Sequence, residues 1–130
     1  MDAQVVEAPF DWQEQYAISQ AHRVGHLVFT SGQAAIAPDG TVVGAGDLRA
    51  QIEQTMTNLA AVLEAAGSSL ERVFKVTIYV TDMAGFPDIV DMRRRWFKAP
   101  WPSDTIVQVA ALGLPELLVE IEAVATVDEA

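Results

Sequence analysis

The chain has 130 residues, enough for one ordinary domain and not for two. Hydrophobic residues make up 51 % of it, more than a small monomer has interior for, so apolar surface buried between subunits is expected. Eighteen acidic against eight basic residues give a net charge of −10, which repels phosphate backbones and argues against nucleic-acid binding, and the lack of cysteine excludes disulfides, thiolate nucleophiles and Cys-ligated metals.

Residues 1–15 are polar and acidic, with Pro9 and Trp12, and read as an irregular lead-in. Met1 to Glu7 has neither the basic nor the apolar part of a signal peptide, and no apolar run approaches the ~18–20 residues of a membrane helix. A cytoplasmic protein with no membrane partner is expected. Ile18–Val24 and Leu27–Ser31 are short β-like runs around Gly25-His26, a two-residue hairpin signal. Pro38-Asp39-Gly40 predicts a turn and Thr41–Val43 a short strand. Asp47 is a plausible N-cap for a long amphipathic helix. Leu48, Ile52, Met56, Leu59, Leu63 and Ala66 recur at spacings of three and four, and Gly67 stands where the helix should stop. Val73–Thr81 alternates as a strand, a second helix covers about 86–97 after Asp82, and strands at about 105–111 and 117–126 finish the chain. The order βββαβαββ predicts a single α+β domain over 1–130, with two helices on one face of a mixed sheet.

The strand periodicities predict which side chains face the helices. Val119, Ile121 and Ala123 share one side of the last strand, and Glu120 and Glu122 the other. In the strand before it, Val107, Val109 and Ala111 are expected against the helices, leaving Asp104, Ile106 and Gln108 on the open face beside Lys75, Thr77 and Tyr79. That open face meets either water or other subunits.

Ser19-Gln20-Ala21, Arg23-Val24-Gly25, Ser31-Gly32-Gln33, the helix Gln51 to Gly67, Val73 to Thr77, Thr81-Asp82-Met83, Phe86, and Val119 to Ala123 together resemble the RidA/YjgF/UK114 family of small trimeric enamine/imine deaminases. The resemblance runs from about Ser19 to Ala125. It implies a chorismate-mutase-like fold, a homotrimer whose three sheets form a central barrel, and small-molecule clefts between neighbouring subunits. It also implies hydrolysis of reactive enamines and imines such as 2-aminoacrylate to keto acids and ammonia, without a cofactor.

Carried over position by position, the resemblance makes Glu120 the catalytic glutamate that holds water. It places the Ser31-Gly32 backbone at the border of the cleft and Ile106 inside it. Two positions depart from the pattern. A tyrosine that precedes Ser-Gln in typical deaminases is Ile18 here. The arginine that grips the substrate carboxylate in Pro-x-Arg-x-x-Val is Asp104, in Pro102-Ser103-Asp104-Thr105-Ile106-Val107. A carboxylate in that place repels another carboxylate about as strongly as an arginine attracts it. The departure predicts weak activity on 2-aminoacrylate and a preference for neutral or cationic amines.

Glu120 and Asp104 are also candidates for a paired-carboxylate acid/base site. Glu122 reads as structural. His22 and His26 flank the hairpin with no acid at ligand spacing, so no metal site is expected. Arg93, Arg94 and Arg95 point in three directions from one helix end, and one of them is a candidate to replace the missing arginine from a neighbouring chain. Trp12 is a candidate to close over a cleft, and Lys75 to pair with a carboxylate nearby. Ser31 lacks a histidine–acid pair at triad spacing. Three readings follow: a divergent hydrolase of a small enamine, imine or related amine; a trimer that binds or senses a small molecule without chemistry; and, disfavoured by the −10 charge, an endoribonuclease.

Overall fold

The two clean alternations in the sequence become the two central strands. In the computed structural model, which describes residues 2–128, β5 (Val73–Val80) and β7 (Val119–Thr126) pair antiparallel along their full length. β1 (Gln4–Val5), β2 (Ala21–Val24), β3 (Leu27–Thr30) and β4 (Gln33–Ala34) complete one side, and β6 (Ser103–Gln108) the other. The sheet runs β1-β2-β3-β7-β5-β6, with β4 also on β7, and only β5 and β6 are parallel. That parallel step is the one that needs a crossover, and α2 (Phe86–Trp96) supplies it.

The first helix, α1 (Leu48–Ala65), forms where the three-four spacing predicts it. The Asp47 side chain accepts from the Ala50 N–H at 3.1 Å, satisfying one orphan donor of the first turn. At the other end Gly67 takes φ +82°, and the Ser68 N–H returns to the Leu63 carbonyl at 2.8 Å. Ile52, Met56, Leu59 and Leu63 are buried in one core with Val76, Ile78, Val119 and Ile121. Each such side chain contributes about 1.5–3 kcal/mol through its burial. Pro87 opens α2, whose Ile89 and Met92 join the same core.

Four expectations need correction. Thr41–Val43 is not a strand, since a single bridge joins Val42 to Ile36. The lead-in is not wholly irregular: Gln4 and Val5 pair with Arg23 and His22 as a short edge strand. Lys75 makes no ion pair among the described residues. The largest correction concerns the face of β6. Asp104 lies opposite Val76, Ile106 opposite Ile78 and Gln108 opposite Val80, and residues paired across a ladder share a face. Asp104, Ile106 and Gln108 therefore lie on the helix side. Val107 lies opposite Tyr79 on the open side, 39 % exposed. Polar side chains are tolerated on the helix side because α2 and its approach satisfy them. Asp104 pairs with Arg93 of α2, and Gln108 accepts from the Met83 N–H at 2.8 Å.

Candidate functional site

The chain forms two cavities that contain the predicted site residues, on opposite faces of the sheet. The first starts with the interruption between β3 and β4. There the Ser31 N–H donates to the Gln20 carbonyl at 2.7 Å, and the Ser31 hydroxyl to the Ser19 carbonyl at 2.5 Å. The hydroxyl thereby ties the backbone of the two segments together. Gln33, fully buried, donates to the Gln20 side chain at 2.8 Å and fixes the same corner from beneath. Gly32 leaves room here for one side chain. A Cβ on it would lie 2.2 Å from Oε2 of Glu120 and 2.7 Å from its Cδ. The Glu120 carboxyl thus rests directly over the Gly32 backbone.

β7 places Glu120 on the open face, opposite both Tyr79 and Ala34. Its carboxyl has no hydrogen bond or ion pair among the described residues. Burial pushes its pKa up, and the negative charge of Glu122, two residues along the same face, pushes in the same direction. Glu122 is itself engaged, since Tyr79 donates its hydroxyl to the Glu122 carboxylate. That bond, followed by burial, raises the Tyr79 pKa. Glu122 is thereby hydrogen-bonded, and Glu120 is left as the unpaired acid of the two.

Ser31, Gly32, Glu120 and Ile18 line a cavity of about 370 Å³ together with Leu117 and Trp12. Trp12 is part of the cavity wall. It is buried, stacked on Phe10 at 6.0 Å between centroids, with Tyr16 edge-on at 6.0 Å. Tyr16, which the sequence analysis passed over, brings a phenol to the wall of the same cavity that Ile18 lines. The aromatic pair Trp12 and Tyr16, four residues apart in the polar lead-in, was the available signal. Ala17 between Tyr16 and Ile18 adopts φ 56°, a left-handed turn that a residue with a Cβ takes at a cost of roughly 1–2 kcal/mol.

Asp104 and Ile106 line the second cavity, of about 390 Å³, which shares no residue with the first. A paired-carboxylate site of Glu120 and Asp104 within one chain is therefore ruled out. Asp104 is engaged in a different pair. Arg93 donates to it through Nε at 2.9 Å and Nη2 at 2.7 Å, a bidentate bridge with side chains only 25 % and 17 % exposed. The Asp104 backbone lies open at the sheet edge, while its carboxylate is largely covered. Phe86 lies beneath the guanidinium, 5.4 Å from ring centroid to Cζ. The arginine triplet does diverge: Arg93 reaches β6, Arg95 reaches Glu53 and Asp91, and Arg94 borders the cavity. Among the described residues no three His, Cys, Asp or Glu side chains converge as a metal site would require.

Comparison with known proteins places this geometry. The family model described as Endoribonuclease L-PSP matches residues 11–127. A RutC family protein of Pyrococcus horikoshii is 38 % identical over 107 residues, covering 82 % of this chain and 84 % of the relative. A protein of Dermatophagoides farinae named 2-iminobutanoate/2-iminopropanoate deaminase is 32 % identical over 124 residues, covering 95 % and 96 %. Among solved structures, RidA from the Antarctic bacterium Psychrobacter sp. PAMC 21119 superposes with a TM-score of 0.82 at 33 % identity, covering 98 % of this chain and 99 % of that one. A Mycobacterium tuberculosis member of the YjgF/YER057c/UK114 family also gives 0.82, at 30 % identity over 97 % and 100 %. With its mixed sheet, two helices on one face and this degree of likeness, the chain belongs to the RidA/YjgF/L-PSP family.

Proposed function

We propose that the chain is a deaminase of small enamines and imines, acting in clefts between subunits of a homotrimer, with Glu120 as its catalytic acid/base. The observation that carries this reading is the Glu120 carboxyl. It is unpaired among the described residues, raised in pKa and held over the Gly32 backbone in a cavity. An acid that nothing neutralises, poised nearer the operating pH, suits proton transfer to and from a bound water. The balance is simple. Water adds to the C=N carbon and passes one proton through Glu120 to nitrogen, and as the carbinolamine collapses its hydroxyl passes the second proton through the same carboxyl to the nitrogen that leaves. One water enters, one ammonia leaves, and C=N becomes C=O. The name of the Dermatophagoides relative supports a 2-imino acid substrate.

The open face of the sheet supports the trimer. Val5, Phe29 and Val107 stand on it, exposed, in ladders with His22, Val124 and Tyr79. Three such faces closing a barrel would cover them and set the edge strand β6 of one subunit against a neighbour's Glu120 cavity. Substrate would then meet Glu120, Gly32, Ser31 and Ile18 from one chain and Asp104 and Ile106 from the next. Light scattering should give about three times the 14.1 kDa chain mass, and a stable monomer would remove the shared cleft. The endoribonuclease description of the family is not adopted for this chain, because a net charge of −10 opposes an RNA backbone. The deciding experiment releases 2-aminoacrylate in situ with a second enzyme and follows keto acid and ammonia. Catalysed release that Glu120→Gln abolishes supports the reading, and release no faster than in buffer refutes it.

A further inference from the structure

We propose that Arg93, held in place by Asp104, is the anchor for the carboxylate of a small monocarboxylic ligand with a short apolar tail. The inference rests on the deaminase reading for the ligand's class and names the residue that selects it. A guanidinium carries five N–H donors in a rigid fork. Asp104 takes two of them, on the Nε and Nη2 side. The remaining donors, both on Nη1 and one on Nη2, have no acceptor among the described residues. One on each Nη forms a second parallel pair, the geometry that grips a carboxylate through two bonds.

Three further features point to that ligand. The guanidinium is immobilised on both sides, by Asp104 at one edge and by the Phe86 ring beneath, so little freedom remains to be lost on binding. Apart from Arg94 and the pair itself the walls are apolar: Phe86, Val90, Phe97, Trp101 and Ile106. Trp101 is 53 % exposed and free to cover a ligand's hydrocarbon. The Arg93–Asp104 pair is neutral as a whole, in a chain of net charge −10. A single carboxylate gains the fork without a large field. Asp104 is accordingly a positioning residue. The substitution that removes the family arginine also brings in the carboxylate that orients its replacement.

The test is equilibrium binding of 2-oxobutanoate, an unreactive product-like acid, to the intact protein by calorimetry, with the neutral 2-oxobutanamide as control. Arg93→Gln should weaken the acid about tenfold or more and leave the amide unchanged. Arg93→Lys, which keeps the charge and loses the fork, should fall between. Thermal melts establish that both variants fold. Native protein that fails to bind the acid, or acid affinity unaltered in both variants, overturns the inference. So does an equal loss for acid and amide, which marks Arg93 as merely structural. Turnover separates the two readings. Deamination with an Arg93→Gln KM like the native value removes this inference and leaves the deaminase standing. Arg93-dependent binding without any turnover does the reverse.

Discussion

The two cavities hold their charges in opposite ways. Around Glu120 a carboxyl is left without a partner, and the fold spends its hydrogen bonds on the backbone at Ser31 and on the neighbouring Glu122. Around Asp104 the carboxyl is bridged twice by a guanidinium and covered. An unpaired buried acid has its proton affinity altered and is available for chemistry. A bridged one is fixed in place, suited to hold another group still. The first cavity is also built by backbone, through a glycine and a broken strand, whereas the second is built by side chains reaching across from α2.

The largest expected effect breaks the first cavity. Glu120→Gln should lower deamination by about 100-fold or more, the usual range for a general acid/base. The same variant should melt higher at neutral pH. In the fold Glu120 keeps its proton to higher pH than in the unfolded chain, so the native state binds more protons between the two values. Stability then falls as pH rises through that window, and the penalty is fully present above it. The gain in Tm from Glu120→Gln should therefore shrink as pH drops toward the ordinary glutamate value of ~4.3. A variant less stable than native at pH 7 would contradict the account of burial.

Gly32→Ala tests whether the backbone holds the acid in place. The added methyl would collide with the far end of the Glu120 side chain, which can swing aside at little cost in stability. Activity should drop about 10- to 100-fold through misplacement of the carboxyl, with Tm within a degree or two of native. Unaltered turnover would mean that the close approach over Gly32 has no catalytic role.

Asp104→Arg sharpens the contrast from the other side. It breaks the bridge that holds Arg93 and sets a second guanidinium beside it, so turnover of 2-aminoacrylate should fall about tenfold, and a rise would show that position 104 itself grips the carboxylate. Ile18→Tyr alone should leave turnover unaltered if the phenol of Tyr16, which lines the same cavity, already fills that place. Native activity equal to that of an arginine-bearing relative would show that Arg93 alone restores full recognition. The smallest effect concerns the rim of the first cavity. Ala17→Gly relieves the left-handed turn and should stabilise by at most about 1 kcal/mol in denaturant melts, with unchanged kinetics.

What the sequence by itself determined is carried by long periodic segments and local chemistry. α1 has an apolar face repeated over five turns, a capping aspartate and a stopping glycine, each acting within a few residues of itself. β7 alternates strictly, and β5 does so from Lys75 onward, past a bulge that leaves Phe74 exposed, because one face of each is buried, so their inward and outward rows were legible, Glu120 among them. The Ser-Gly-Gln and Val-Glu-Ile-Glu-Ala tracts sufficed to place the chain in its family. Only the tertiary structure decided the rest. β6 is an edge strand whose own alternation is ambiguous, and its register against β5 assigns its faces. Which way Arg93 points depends on how α2 docks, and the docking brings it to Asp104, a partner that no sequence spacing announces. Trp12 and Tyr16 sit in a segment without periodicity and reach the Glu120 cavity only because the chain turns at Ala17. The separation of Glu120 from Asp104, each on its own face of one sheet, follows from long-range pairing, and long-range pairing is set by the whole core and not by any stretch of the chain.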